Sequence, residues 1–461
     1  MKRQTQKMRI GDAINRNLSQ PISALSFAVL RILFGGLMIW DVWRFFTHDR
    51  IARYYIQPEF FFTYAGFGWV KPLPEPYIHY AWFMVGVFAF MVMIGLFYRA
   101  AIIAFTVLFT YFFLLDKAQY LNHFYMIILY AALLCVAPAN RALSVDARIW
   151  PSLRSENIPY WPVFALRAQT EIILIYAGLV KMTEDWLKLQ PLGLWLQEQA
   201  NEVSFGWLFY QDWALAIGAY GTIALHLIGA PLLLFKRTRV PTFLIYSVFH
   251  MANAYFFNIG VFPWLTIAVT LIFFDPDWPR QFWRWLTGAG NVAPKSASAA
   301  SSPMPMSGVL KAALCVWLVL QIAIPLRFAA FSSEVRWSGD GHRFAWRMRM
   351  YSREDEGHFE VRDAATGHTW RVEPTDSLTS RQANTMLTRP DIILQFAHHL
   401  RDVWKNKGHD NVAVHAHVQM SLNGRPMQAL IRPDVNLAAE MLNVTAPDAW
   451  VTQLTTPLTR S

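Results

Sequence analysis

Apolar runs separated by short polar loops dominate the first two-thirds of the chain. Runs of about 18 to 24 apolar residues recur, and a helix of that length crosses roughly 30 Å of hydrocarbon. The pattern predicts about nine transmembrane helices, near residues 22–46, 77–97, 100–115, 124–138, 163–181, 213–235, 241–257, 261–274 and 308–327. The expected fold class is therefore mostly α, a polytopic transmembrane helix bundle.

The last part of the chain shows a different pattern, in which apolar and polar positions alternate as in β-strands. Alternation predicts strands at residues 342–351, 358–363, 368–373 and 411–422, with an Asn-Gly hairpin turn after the last of them. Residues 391–408 predict an amphipathic helix that ends at a glycine. We expect a small C-terminal α+β domain.

These patterns divide the chain into four predicted units. The first is a transmembrane domain at residues 1–287, and the second is a flexible cytoplasmic linker at 288–307, which is rich in small residues and proline. The last transmembrane span follows at 308–327, and the extracytoplasmic α+β domain occupies 328–461.

Composition supports a membrane location. The chain of 461 residues is 54% hydrophobic and 16% charged, whereas soluble domains carry about 25% charged residues. The lipid bilayer is therefore an expected partner. The formal charge of +10 alone would suggest a nucleic-acid partner, but much of the excess lies in short loops between apolar runs, which argues against one.

The basic loops also predict an orientation. About fifteen basic residues fall on the side of the N-terminus and about five in the short loops of the other side. Cytoplasmic loops carry such an excess. The N-terminus is therefore expected in the cytoplasm, and an odd number of spans places the C-terminal domain outside it.

Two polar groups are predicted to meet at the outer face. Asn122 and His123 begin the fourth predicted span, and Lys181 ends the fifth. Lysine is a base only when neutral, and burial lowers its pKa toward neutrality. A neighbouring histidine can hydrogen-bond a developing oxyanion or assist a proton transfer. The alternative is that Lys181 extends to the membrane interface, as lysines at span ends commonly do.

Other polar side chains interrupt the predicted spans. Arg31 and Asp41 lie in the first span and are expected to face the bundle interior, because charge in lipid is costly. His226 is a histidine in apolar surroundings. His250 and Asn253 share a helical face, either as hydrogen-bonded core residues or as weak candidates for binding a polar headgroup.

Metal and disulfide chemistry is not predicted. His415 and His417 point to one face of a strand, but no third ligand follows at a characteristic spacing, so a polar sheet face is the favoured interpretation. The only two cysteines, Cys135 and Cys315, lie in apolar runs and are expected to be packing residues.

Several stretches then carry a family resemblance. The membrane part contains, in this order, RILFGGLMIWD, IGLFYR, FLLDKAQYLNHFY, LRAQTEIILIYAGLVKMTEDW, FHMANAYFFNIGVFPW and FFDPDWPRQFW, and the C-terminal part contains IPLRF and VRWSGDGHRFAWRMRM. In this order they resemble the vitamin K-dependent γ-glutamyl carboxylase family and its bacterial relatives, which carry the horizontally transferred transmembrane (HTTM) domain. A bacterial inner-membrane location is therefore expected.

The resemblance implies a reaction and its residues. Lys181 matches the family's base, which deprotonates reduced vitamin K, and His123 with Asn122 matches the histidine that supports this chemistry. The implied reaction couples oxidation of the hydroquinone by O2 to removal of a γ-proton from glutamate. A hydroquinone of the menaquinol type is also compatible with the resemblance. CO2 then adds at that carbon, and the quinone leaves as the epoxide. A glutamate-containing peptide or protein is the implied substrate.

This sequence departs from the animal enzymes in the family. It is shorter after the last span and lacks the cysteines of the family's luminal disulfide, which leaves the protein substrate open. Two alternatives therefore remain. One is a quinol epoxidase or oxidoreductase without carboxylation, and the other is a non-enzymatic membrane scaffold or transporter.

Overall fold

The computed structural model describes residues 10–257, 259–288, 303–331, 333–442 and 448–458. Residues 289–302 of the predicted linker lie outside this part of the chain. The helices are α1 (Ile10–Leu18), α2 (Leu25–Thr47), α3 (Tyr77–Ile94), α4 (Tyr98–Leu115), α5 (Asn122–Val136), α6 (Asp146–Ile149), α7 (Trp161–Leu179), α8 (Glu184–Leu187), α9 (Leu192–Glu198), α10 (Asp212–Ala224), α11 (Ala230–Leu232), α12 (Arg239–Phe257), α13 (Phe262–Thr270), α14 (Trp278–Leu286), α15 (Gly308–Leu326), α16 (Val335–Ser338), α17 (Ser380–Leu387) and α18 (Pro390–Asn406). The strands are β1 (Pro21–Ser23), β2 (Asn157–Pro159), β3 (Arg353–Asp363), β4 (Thr369–Val372), β5 (Val412–Leu422) and β6 (Gln428–Ala429).

The membrane part is a bundle of apolar helices. Within the described residues, six are long and apolar enough to cross a bilayer: Leu25–Thr47, Tyr77–Ile94, Tyr98–Leu115, Trp161–Leu179, Asp212–Leu232 and Gly308–Ala330. Asn122–Val136 and Phe262–Phe273 are apolar but shorter, and α12 lies at the remaining predicted span. The predicted class is confirmed, and a helix occupies every predicted span, but the number nine is not confirmed.

Arg31 shows how the bundle accommodates charge. Its side chain, on α2, is fully buried. The guanidinium donates to the carbonyl oxygens of Val92, Met93 and Leu143 at 2.9, 3.0 and 2.6 Å. Carbonyls at the end of a helix lack intrahelical partners, so Arg31 satisfies the end of α3. As predicted, this charge faces the interior.

The C-terminal part folds as a small α+β domain. Its antiparallel sheet has the order β4-β3-β5-β6, and α17 and α18 pack on one face with side chains such as Phe359 and Ile392 in the core. The predicted strands at 358–363, 368–373 and 411–422 and the helix at 391–408 are confirmed. The Asn423-Gly424 turn has positive φ at both residues, 56° and 78°, as a type I′ hairpin requires.

The predicted strand at residues 342–351 is wrong. Residues 343–350, which we call the closing segment, form no strand. Phe344, Trp346 and Arg349 have positive φ values of 59°, 57° and 48°. The alternation of apolar and basic residues has another cause. Trp346 is fully buried in the core of the helix bundle, while Arg349 lines a cavity described below.

Loops of the membrane part also enter the core of the C-terminal domain. Phe62 is fully buried there, and the Gln395 side-chain amide exchanges hydrogen bonds of 3.1 and 3.0 Å with the backbone of Thr63. The Lys117 ammonium lies 2.8 Å from an Asp391 carboxylate oxygen. The domain is therefore fixed to one end of the bundle through contacts in both directions.

Candidate active site

Lys181 lies two residues beyond the end of α7 and is 5% exposed. Its Nζ donates to the carbonyl oxygen of Ala177 at 3.2 Å and to that of Met348, in the closing segment, at 3.1 Å. The ring of Trp186 lies 5.0 Å away. Burial lowers the pKa of Lys181 from 10.5 to about 8. The amine is therefore withdrawn from solvent, and extension to an interface does not describe its position.

The residues after Lys181 hold this geometry. Thr183 caps α8 by accepting from the Trp186 backbone N–H at 3.4 Å, and the Trp186 indole N–H donates to the Ala219 carbonyl at 3.0 Å. Asp185 is 1% exposed, and both of its carboxylate oxygens accept from Arg425 at 2.6 Å. The stretch that carries Lys181 is thus anchored to α10 and to the C-terminal domain.

Asp185 is the centre of a buried cluster that also contains Arg336, at 2.9 Å, and the amide of Asn423, at 2.8 Å. Burial alone would raise the pKa of Asp185, but the hydrogen bonds from Arg425 and Asn423 and the charge of Arg336 bring it below its ordinary value. The Asp185 carboxylate is therefore ionised at neutral pH. The neighbouring acid, Glu184, is exposed and does not belong to the cluster.

Lys181 opens onto a cavity of about 230 Å³, which we call the apolar cavity. Rings of Trp186, Trp195, Phe249, Phe256, Phe257 and Phe262 form much of its wall. The polar side chains of His226, His250 and Asn253 also line it, together with the threonines Thr222 and Thr266. The two candidates named from α12, His250 and Asn253, thus line the same cavity as Lys181.

The polar groups of the apolar cavity differ in their hydrogen bonding. His226 Nδ1 lies 2.7 Å from the Thr222 carbonyl, and the Asn253 amide donates to the Phe249 carbonyl at 2.8 Å. Both ring nitrogens of His250 are buried without a hydrogen-bond partner among the described residues. An unpaired buried polar group is costly, so His250 is available to a ligand in this cavity.

Asn122 and His123 form the first turn of α5 and line a second cavity of about 440 Å³. Asn122 accepts from the Tyr120 hydroxyl at 2.9 Å and donates to the Arg347 carbonyl at 3.3 Å. Four guanidinium groups line this arginine-lined cavity, those of Arg44, Arg50, Arg349 and Arg381. Within the described residues, only Arg44 among these has a carboxylate within ion-pairing distance, Asp41 at 3.6 Å.

The closing segment joins the two cavities. Lys181 and Asn122 donate to the carbonyls of consecutive residues, Met348 and Arg347, so the ends of α7 and α5 meet at one face of the bundle. Both cavities are lined by Phe257, Ile259, Phe262, Met348 and Arg349. Lys181 and the Asn122-His123 pair therefore lie near one another, but they line two different cavities that share part of their walls.

Two family models match the chain. A family model described as the HTTM domain matches residues 19–278, more than half of the chain. A second, described as the lumenal domain of vitamin K-dependent gamma-carboxylase, matches residues 306–457. The chain belongs to the HTTM and vitamin K-dependent carboxylase family. No solved structure matches it.

Family membership confirms the resemblance and the membrane location. In this member of the carboxylase family, the HTTM match covers α2 to α13 and thus contains Asn122, His123 and Lys181. The lumenal-domain match covers α15, the closing segment and the sheet. Both matches therefore contribute to the cavities: most lining residues belong to the HTTM match, and the lumenal-domain match adds Met348 and Arg349 to both cavities and Arg381 to the second.

Sequence reasoning missed part of this site. Arg44 and Arg50 lie at the end of α2 and just after it, whereas Arg381 lies on α17, far along the chain. The sequence shows His226 only as a histidine in an apolar run, whereas the folded protein has it in the lining of the cavity of Lys181. The available signal is the pair Arg347 and Arg349, which alternates with methionines and so fits the pattern of the predicted strand.

Proposed function

We propose that this carboxylase-like membrane enzyme couples oxidation of reduced vitamin K by O2 to carboxylation of glutamate at its γ-carbon. The products are the quinone epoxide, water and γ-carboxyglutamate. The observation that carries the proposal is the buried Lys181 amine, which opens onto an apolar cavity and shares a wall with a cationic one that contains His123 and Asn122.

The residues of the apolar cavity fit a quinol. Aromatic rings suit the flat headgroup, and Lys181 and the unpartnered nitrogens of His250 suit its hydroxyl groups. When bound, reduced vitamin K supplies the electrons that reduce O2 and thereby the basicity needed to remove a glutamyl γ-proton. A lipid-soluble quinol also explains a site built among membrane helices.

Lys181 is placed to accept a hydroxyl proton. A neutral amine has two N–H groups and one lone pair, and the carbonyls of Ala177 and Met348 accept both N–H groups. The lone pair is then free to accept a proton from the apolar cavity. The resulting ammonium has the Trp186 ring beside it, 5.0 Å from Nζ, and cation–π attraction stabilises it.

The arginine-lined cavity fits the other substrates. Three of its four guanidinium groups lack a carboxylate partner among the described residues, and guanidinium recognises carboxylates through paired hydrogen bonds. We assign this cavity to the glutamyl carboxylate and CO2. His123 donates a hydrogen bond to charge that develops there, and Asn122 fixes the first turn of α5 through Tyr120 and Arg347.

Substitution of Lys181 tests the proposal. In purified protein supplied with reduced vitamin K, O2, labelled bicarbonate and a glutamyl peptide, Lys181→Ala is expected to lower epoxide formation about 10²- to 10⁴-fold, the usual contribution of a general base. Lys188→Ala is the control, because Lys188 pairs with Glu184 at the exposed surface. Unchanged epoxide formation in folded Lys181→Ala would exclude Lys181 as the base.

The same assay separates carboxylation from epoxidation alone. Arg381→Gln is expected to reduce incorporation of labelled CO2 more than epoxide formation, because it removes charge from the arginine-lined cavity and leaves Lys181 in place. Epoxide without any labelled product from the wild-type protein would identify a quinol epoxidase instead.

The proposed orientation places the N-terminus in the cytoplasm and the C-terminal domain outside it, in a bacterial inner membrane. The basic loops support it. In a background without Cys135 and Cys315, a cysteine introduced at exposed Lys407 should react with an impermeant maleimide in intact spheroplasts. Labelling only after lysis would reverse the orientation.

A further inference from the structure

The exposed face of the C-terminal sheet brings two histidines together. His358 on β3 is the cross-strand partner of His417 on β5. Glu360 follows His358 by two residues and therefore lies on the same face. The opposite face, with Phe359 and Ala416, packs into the domain core. These three polar side chains are thus free of the packing that holds the domain together.

The three side chains face a common point. The imidazole rings stack 4.9 Å apart at an angle of 12°. A Glu360 carboxylate oxygen lies 3.4 Å from His417 Nε2, and the other lies 4.0 Å from His358 Nε2. One nitrogen or oxygen atom from each residue lies within 4.8 Å of the others. Ligands of one tetrahedral Zn²⁺ ion are separated by roughly 3.4 Å, so small side-chain rotations suffice.

His417 supplies a second, independent observation. Its Nε2 is buried and has no hydrogen-bond partner among the described residues, although the Glu360 carboxylate lies within reach. The His417 imidazole and the Glu360 carboxylate are therefore adjacent but are not oriented to form a hydrogen bond with each other. Leaving such an atom unpaired is costly, and a shared ligand would satisfy both.

The surroundings leave the set accessible. His358 and His417 line a cleft of about 480 Å³, in which Arg371 and Glu373 are also present. The Arg371 guanidinium lies 2.8 Å from Glu373, so its charge is largely compensated. His415 lies across from Glu360, but its Nδ1 lies 3.1 Å from the Pro433 carbonyl, and it does not belong to the set.

We propose that His358, Glu360 and His417 form a binding site for a divalent transition-metal ion, with at least one coordination position open to the cleft. Two imidazoles and one carboxylate are ligands that Zn²⁺ accepts in open sites. The sequence pointed only to His415 and His417, because the register of β3 against β5 alone brings in His358 and Glu360. The site is distinct from both cavities of the proposed reaction.

Metal binding to the untagged, full-length protein in detergent tests the proposal. After a chelator has removed bound metal and Zn²⁺ has been added back, the wild type is expected to retain one equivalent of Zn²⁺ on dialysis. Co²⁺ added in its place is expected to give the visible absorption bands of a low-coordinate site. His358→Gln, Glu360→Gln and His417→Gln should each weaken binding at least about tenfold, since loss of an outer-sphere partner alone costs 10- to 100-fold.

His415→Gln is the matched control, because it removes a histidine from the same strand face without touching the set. Circular dichroism and the melting temperature without metal report whether each variant folds. No stoichiometric binding in the wild type, equal binding in His417→Gln, or an equal loss in His415→Gln would each overturn the proposal.

Discussion

At the scale of single residues, the Lys181 amine has the most direct consequence, because burial sets its protonation. With a pKa of about 8, the Lys181 amine is neutral in roughly a tenth of the protein molecules at pH 7 and in about half of them at pH 8. The lowered pKa means that the active free base is gained as pH rises through 8, and not only near 10.5.

We therefore expect kcat/KM for epoxide formation to rise about tenfold from pH 6 to 7, to bend near pH 8 and to level off above pH 9. The measurement is epoxide yield under limiting hydroquinone between pH 6 and 9.5, within the range in which the protein stays folded. A profile that still rises tenfold per unit at pH 9.5 would show an unperturbed amine.

The sequence identified residues whose chemistry is local. Lys181 ends an apolar run and Asn122-His123 begins another, so topology alone predicts that the two groups share a face. The arginine-lined cavity escaped prediction because Arg44, Arg381 and Arg349 come from α2, α17 and the closing segment, and only tertiary structure brings them together.

At the scale of elements, α7 packs unusually closely against the π-helical turn at Leu225–Gly229, which carries His226. A Cβ at Gly178 would lie 2.8 Å from the Cβ of His226 and 2.9 Å from a methyl carbon of Leu227. Single π-helical turns inside helices are frequent at functional sites. Gly178 therefore allows His226 to reach the cavity of Lys181.

Gly178→Ala is expected to cost about 1–3 kcal/mol of stability, the usual cost of overpacking, and to weaken binding of a hydroquinone analogue by displacing His226. Thermal unfolding and analogue titration measure the two effects. Gly221→Ala is the control, since no atom lies within 4 Å of a Cβ there. Equal behaviour of the two variants would contradict the close packing.

The closing segment is the second informative element. Its positive φ values and its buried Trp346 show that it is held by side-chain packing instead of a strand ladder. Its alternation was uninformative, because the same alternation arises whether the apolar residues face a sheet core or a neighbouring domain. The helices and remaining strands were predictable, because their periodicity reflects one dominant buried face.

Trp346→Ala should remove that packing at a cost of about 3–5 kcal/mol, as for other large buried side chains. We expect faster hydrogen exchange across residues 343–350 and a lower epoxide yield, because water then reaches Lys181. Trp283→Ala, at a side chain that is 66% exposed, should change neither. Unaltered exchange in Trp346→Ala would show that other contacts hold the segment.

At the scale of the whole molecule, the buried Asp185 cluster connects the bundle to the C-terminal domain. Asp185→Ala would leave Arg425, which is 7% exposed, without its carboxylate. Breaking a buried pair on one side costs about 3–5 kcal/mol. The variant should therefore unfold at lower temperature and release the domain to protease sooner.

Glu184→Ala is the matched control for this cluster, since Glu184 is the neighbouring acid but faces solvent. Its melting temperature and cleavage rate should equal those of the wild type. If Asp185→Ala also melted like the wild type, the contacts of Phe62 and Gln395 would be sufficient to hold the two parts together.

The position of the closing segment in chain order has a consequence for biosynthesis. In an emerging polypeptide, helices α2 to α15 are synthesised before the carbonyl of Met348 has been made. Until residues 343–350 fold back onto the bundle, Lys181 lacks one of its two acceptors and its cover from water. We therefore expect that the protein becomes able to catalyse the proposed oxidation only after translation has passed α15 and the closing segment has folded onto the bundle.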